Sequence, residues 1–118
     1  MTYVDGFVCP VKPGRRDDYL AMAREAAPLF AEYGALRVVE TWNDDVKTGK
    51  VNDFRTAVIA EDGEDIVFSW IEWPDKATRD AGWEGLMQDE RMKGPQDNPM
   101  AGARMIYGGF DVILDARK

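Results

Sequence analysis

Two stretches of this chain are apolar on both faces of an extended strand, and that limits the folds open to it. One closes the chain: Arg104-Met105-Ile106-Tyr107-Gly108-Gly109-Phe110-Asp111-Val112-Ile113-Leu114. The other runs from Ile66 to Trp73, where Ile66, Phe68, Trp70 and Glu72 alternate with Val67, Ser69, Ile71 and Trp73. Side chains alternate across a strand, so neither face of these segments is polar enough to rest in water. A sheet built on them needs a cover on each side. A domain of 118 residues carries helices enough for one side only, and the second cover is expected to be another copy of the chain.

The remaining elements follow from period and punctuation. Tyr3 to Val11 reads as a strand, with Tyr3, Asp5, Phe7 and Cys9 on one face and the smaller Val4, Gly6 and Val8 on the other. The smaller face is expected to pack against helices. A helix is expected over 15–33, with Asp17 and Asp18 in its first turn and a stripe of Tyr19, Met22, Ala23, Ala26, Leu29, Phe30 and Tyr33. Pro28 stands inside that stripe, which continues past it, so a kink or a locally broken hydrogen-bond ladder is expected there rather than an end. Gly34 follows as a cap. Residues 35–42 are expected to form a second strand, and 54–60 a short helical turn in preference to an edge strand. Glu61 to Asp65 reads as a solvated acidic connector. Asp75 caps a helix over 76–90, in which Gly82 and Gly85 cost helix propensity.

Strand–helix–strand–strand–helix–strand is the order of a ferredoxin-like α+β domain, βαββαβ, with four antiparallel strands and two helices on one face. A single domain over residues 1–118 is expected. Two such sheets packed face to face make a dimeric α/β barrel, a homodimer with an isologous interface.

Composition removes several function classes. The chain has no histidine, so the usual neutral-pH base, haem ligand and commonest zinc ligand are missing. Neither a metal nor another cofactor is expected. A net charge of −7 argues against a nucleic-acid partner, which would need a basic stripe. The single cysteine cannot close an internal disulfide, and no long uncharged apolar run is present. A cytoplasmic protein with no membrane span is expected. Cys9 reads as a small buried hydrophobe, and Asn43-Asp44-Asp45 as a turn, since it lacks the ligand spacing of a calcium loop.

Tyr3-Val4-Asp5-Gly6-Phe7, Ala26-Ala27-Pro28, Asp44-Asp45-Val46 with Gly49-Lys50, Val67-Phe68-Ser69-Trp70-Ile71 and, most specifically, Arg104-Met105-Ile106-Tyr107-Gly108-Gly109-Phe110 resemble the YbaA-like family of small bacterial proteins of unknown function. The resemblance spans nearly the whole chain. It implies the dimeric α/β-barrel superfamily and carries over no catalytic residues. Asp89-Glu90-Arg91-Met92 and Met100-Ala101-Gly102-Ala103 depart from the family pattern.

Relatives elsewhere in that superfamily use a pocket between sheet and helices. The resemblance therefore implies a small apolar or aromatic molecule bound in such a pocket, or cofactor-independent monooxygenase- or isomerase-like chemistry on a small electron-rich substrate. Trp42, Trp70, Trp73 and Tyr107 are candidates to stack on a ligand, with Arg104 to anchor it and Asp5 or Glu72 to accept a proton. The alternative is that the aromatics pack the core and the interface. For Asp5, mid-strand, the alternative is a structural pair with Arg104 on the expected neighbouring strand. The glycine pair 108–109 is expected to mark a bulge or a close approach by a backbone or ligand.

Overall fold

The computed structural model describes residues 2–118 and has the expected strand and helix order. Strands β1 (Tyr3–Val11), β2 (Arg37–Glu40), β3 (Asp65–Trp73) and β4 (Ile106–Asp111) form one sheet in the order β2-β3-β1-β4, every neighbouring pair antiparallel. Helices α1 (Arg16–Glu32) and α3 (Lys76–Gln88) are the two long crossovers. The short helix α2 (Phe54–Ala57) lies in the segment between β2 and β3 and is the helical turn expected there. Asp53 accepts from Thr56 N–H while Thr56 Oγ1 accepts from Asp53 N–H, a reciprocal cap that starts α2.

Register assigns the faces. Tyr3, Asp5, Phe7 and Cys9 pair across the central strands with Trp73, Ile71, Ser69 and Val67 and look toward α1 and α3. The helices therefore pack on the larger-residue face of β1, which corrects the expectation that Val4, Gly6 and Val8 face them. Bulk decides this: Tyr3 and Trp73 fill the space under the helices with Leu29, Phe30, Ile71 and Leu86 in one buried cluster. Cys9, Val11, Tyr19 and Val67 form a second.

Close approach explains the glycines of α3. A Cβ on Gly82 would stand 2.6 Å from the Trp73 ring and 2.8 Å from the Tyr33 carbonyl oxygen, and one on Gly85 would enter the Tyr33 ring. Their poor helix propensity is offset by letting α3 sit against the sheet and the end of α1. Pro28 lies inside α1, which runs on to Glu32. Gly34, just past its end, has φ +106°. Asp75 caps α3 as expected, accepting from Thr78 N–H at 2.7 Å.

The closing strand is shorter than the sequence suggested. Gly102–Arg104 is a 3-10 turn, so Arg104 lies before β4 and not on it. The β1–β4 register runs unbroken from Tyr3↔Asp111 to Val8↔Ile106. No bulge interrupts it at Gly108–Gly109, a correction to one of the two expectations there. What approaches closely there is neither a backbone nor a ligand, as the other expectation had it, but side chains: a Cβ on Gly109 would meet the Tyr3 hydroxyl and stand 2.7 Å from Arg79 Nη2.

The opposite face carries Val4, Gly6, Val8, Val39, Phe68, Trp70, Ile106 and Phe110, with Arg37 and Glu72 at one end. Phe68, Ile106 and Phe110 keep 46%, 45% and 63% of their surface exposed, so this face has no cover in the single chain. Phe54 of α2 stands edge-on to Phe68, and Phe68 edge-on to Trp70. Ile113 and Leu114 beyond β4 are exposed as well.

Candidate functional site

A cavity of about 770 Å³ opens between the sheet, α1 and the 91–105 segment. Its floor is Phe7 and Cys9 of β1, Val38 and Glu40 of β2, and Val67, Ser69 and Ile71 of β3. Tyr19, Met22, Ala23, Ala26 and Phe30 of α1 form one wall, Trp83 of α3 contributes, and Met92, Met100 and Met105 close the other side. The cavity touches both core clusters, through Phe30 and Ile71 of the first and Cys9, Tyr19 and Val67 of the second. Volume and lining fall in the range of small-molecule sites.

Arg15, Asp18, Glu25, Arg91, Lys93 and Asp97 also line the cavity, and a polar cluster stands at its sheet side. The Tyr19 hydroxyl donates to Glu40 Oε1 at 2.5 Å, and the Ser69 hydroxyl donates to the same oxygen. Tyr19 and Ser69 are buried, whereas Glu40, on the edge strand, is exposed. Burial first, then the neighbouring Glu40 carboxylate, holds the Tyr19 phenol well above its ordinary range, so it stays a donor. Cys9 is 1% exposed and its thiol is pushed up to about 11 by burial, as expected of an inert small hydrophobe.

Asp5 belongs to a different arrangement. It is 4% exposed, and its carboxylate accepts from Trp73 Nε1 at 2.9 Å, Trp83 Nε1 at 2.7 Å and Arg79 Nη2 at 2.7 Å, with Arg79 Nε at 3.1 Å from both oxygens. Arg79 and Trp83 stand four residues apart, on one face of α3, and reach down to the sheet together. The guanidinium also lies over the Tyr3 ring, 5.1 Å from its centroid. The partner of Asp5 is therefore Arg79, which corrects the expected pairing with Arg104. Asp5 fastens α3 to the sheet and is not part of the cavity wall.

Arg104 instead reaches Glu64 with two nitrogens, at 2.7 and 2.6 Å, and donates to the Ile59 carbonyl oxygen. Glu64 is 7% exposed and also accepts from Glu61 N–H, so this end of the acidic connector is a buried ion pair and not solvated loop. Hydrogen bonds from Arg104 hold the Glu64 carboxyl down to about 2. Because that value is depressed, the pair stabilises fully above the ordinary glutamate value of 4.5 and loses its contribution as pH falls through about 2. Arg104→Ala leaves a buried carboxylate without its partner and is expected to cost about 2–3 kcal/mol at pH 7. Urea denaturation of both proteins should show that difference narrowing steadily from pH 5 to pH 2.

The other expected site residues are dispersed. Trp70 adjoins the cavity, but the strand alternation carries its indole to the open face, where it donates to Glu72 at 3.0 Å. Glu72 lies on that same face beside Arg37. Trp42 packs at a tilt on Tyr19, with the Arg16 guanidinium over its ring, next to the cavity and outside its wall. Trp73 is in the core, its indole N–H on Asp5. Tyr107 is 73% exposed on the edge strand. Glu40, Tyr19 and Ser69 were legible only as polar atoms on otherwise apolar faces: Ser69 among Val67, Ile71 and Trp73, and Glu40 two residues from Val38. Among the described residues no group of acids and cysteine is arranged to hold a metal ion, and no helix is long and apolar enough to cross a membrane.

These features define a ferredoxin-like α+β domain with a pocket on the helical face of its sheet. The profile of the family described as "Protein of unknown function (DUF1428)" matches residues 2–102, and the chain belongs to that family. It is 56% identical over 116 residues to the "Uncharacterized protein YbaA" of Escherichia coli strain K12, covering 98% of this chain and 99% of the relative. The Shigella flexneri protein of the same name gives the same figures. Among solved structures, a dimeric ferredoxin-like protein from an uncultured marine organism superposes with a TM-score of 0.62 at 10% identity, covering 98% of each chain. SnoaB from Streptomyces nogalater, a cofactor-independent oxygenase, gives 0.54 at 17% identity over 99% of this chain and 98% of its own. At such identities the likeness is one of fold.

Proposed function

We propose that this protein is a homodimer, joined sheet to sheet, in which each protomer binds a small apolar or aromatic molecule in the cavity between sheet and helices. The cavity carries the reading: it is large, Phe, Met, Val and Ala side chains line its inner part, and the Tyr19, Glu40 and Ser69 cluster stands at its sheet side to orient a ligand. The dimer reading is supported by the exposed Phe68, Ile106 and Phe110 and by the dimeric neighbour of the same fold. Net charge −7 disfavours nucleic acid as a partner, and the buried, unpaired Cys9 suits a reducing compartment such as the cytoplasm.

A second reading is cofactor-independent monooxygenase- or isomerase-like chemistry in the same cavity, with Glu40 as proton acceptor. The observation that favours it is a carboxylate held in place by two hydroxyls beside an apolar wall. Thermal-shift screening against small aromatic alcohols, amines, quinones and acids tests the ligand reading. At least one class is expected to raise the melting temperature of the wild type, with no rise in Ala23→Phe, whose ring occupies the cavity. A flat screen, or equal shifts in both proteins, would remove the cavity as the binding site.

A further inference from the structure

The hydrogen-bonding groups around the cavity are unevenly spent. At its sheet end every side-chain donor is already committed: the Tyr19 and Ser69 hydroxyls to Glu40 Oε1, the Trp83 indole to Asp5, and the Cys9 thiol to the Pro10 carbonyl. The arginines of the lining are committed too, Arg15 to Asp18 and Asp97, and Arg91 to Asp89 and Glu32. On the 93–99 loop across from the sheet, Lys93 pairs with Glu90 and the Asn98 amide remains. One strong acceptor is unspent, Glu40 Oε2, which receives no hydrogen bond from any described residue. Its sister oxygen is fixed by two donors, so the free lone pairs are held in one orientation.

We infer that the molecule taken here joins an apolar body to a hydrogen-bond-donating head without negative charge, an alcohol or an ammonium, and that Glu40 Oε2 receives that donor. A carboxylate head would meet the Glu40 charge with every neighbouring donor turned away from it. A head that only accepts, such as an ether, offers Glu40 Oε2 no proton and gains nothing from it. The inference rests on the reading of the cavity as a ligand site and adds the chemical class.

A matched naphthalene series tests it by calorimetry on the intact protein: 2-naphthylmethanol, 2-naphthylmethylamine, the methyl ether of the alcohol, and 2-naphthoate. The alcohol and amine are expected to bind at least about tenfold tighter than the ether and the acid, the size of one hydrogen bond to a charged group. Glu40→Gln keeps an acceptor for Tyr19 and Ser69 and turns an N–H₂ toward the ligand. It should weaken the alcohol and amine and strengthen the acid. Four ligands binding within threefold of one another, or an unchanged order in Glu40→Gln, would overturn the inference and leave the cavity reading standing. No binding by any of the four in the wild type would remove both. If Glu40→Gln fails to fold, the wild-type series decides alone.

Discussion

Asp5→Ala is expected to be the most destabilising single change on the helical face, costing about 3–5 kcal/mol. It strips one acceptor from three donors: the Trp73 and Trp83 indoles and the Arg79 guanidinium. Two of those donors are on α3, so the loss falls on the contact between helix and sheet. Asp5→Asn should cost less, about 2 kcal/mol, because the amide oxygen can still serve both indoles while its N–H₂ opposes Arg79. In a double-mutant cycle Asp5→Ala and Arg79→Ala should be strongly non-additive, since each removes the same ion pair. Urea denaturation reads all three, and additive losses would show that Asp5 and Arg79 act independently. Because Asp5 is outside the cavity wall, affinity for a cavity ligand should change little in Asp5→Asn under conditions where it stays folded.

The second large effect belongs to the other side of the sheet. Wild-type protein at micromolar concentration is expected to sediment as a dimer, and Phe68→Glu/Phe110→Glu as a monomer. Each phenylalanine buried at a sheet-to-sheet interface contributes about 1.5–3 kcal/mol, and each substitution adds an unpaired carboxylate to that surface. The dissociation constant should rise at least about a thousandfold. Both positions are on the exposed face of the folded protomer, at 46% and 63%, so the melting temperature of the monomeric variant should fall only by the loss of association. A wild type that sediments as a monomer would contradict the dimer reading.

The sequence made some of this readable and hid the rest for definite physical reasons. Alternation in β3 is local information, and it separates Val67, Ser69, Ile71 and Trp73 from Phe68, Trp70 and Glu72 without knowledge of any partner. The same rule splits β1 correctly into two faces. Which of the two meets the helices is a packing question, and the bulk of Tyr3 and Trp73 settled it against the smaller face. Side-chain partners across the fold were not readable. Arg104 and Asp5 both wanted an opposite charge, and nothing local says that Arg79 lies one helical turn before Trp83 above Asp5. Nor does anything local say that Glu64, in an acidic run, turns inward to Arg104.

The cavity shows the same division. Period places Tyr19 on the buried stripe of α1, and alternation places Ser69 on one face of β3 with Val67, Ile71 and Trp73. Glu40 joins them only because β2 pairs with β3 in the register Glu40↔Ser69. That register is a nonlocal fact. The expected aromatic stackers went elsewhere, because Trp70 alternates to the open face and Tyr107 falls on an edge strand with no helix above it.

The central claim is that ligands enter the cavity on the helical face, and its methionines report on that directly. Met22, Met92, Met100 and Met105 line the cavity, while Met87 is 80% exposed on α3. Titration of methyl-labelled protein with 2-naphthylmethanol, followed by NMR, should move the resonances of Met22, Met100 and Met105, with Met92 following and Met87 still. Ring currents fall off within a few ångströms, so the shifts identify contact. Stationary cavity methyls with saturable shifts at Ile106 or Val4 would place binding on the open face of the sheet and contradict the account.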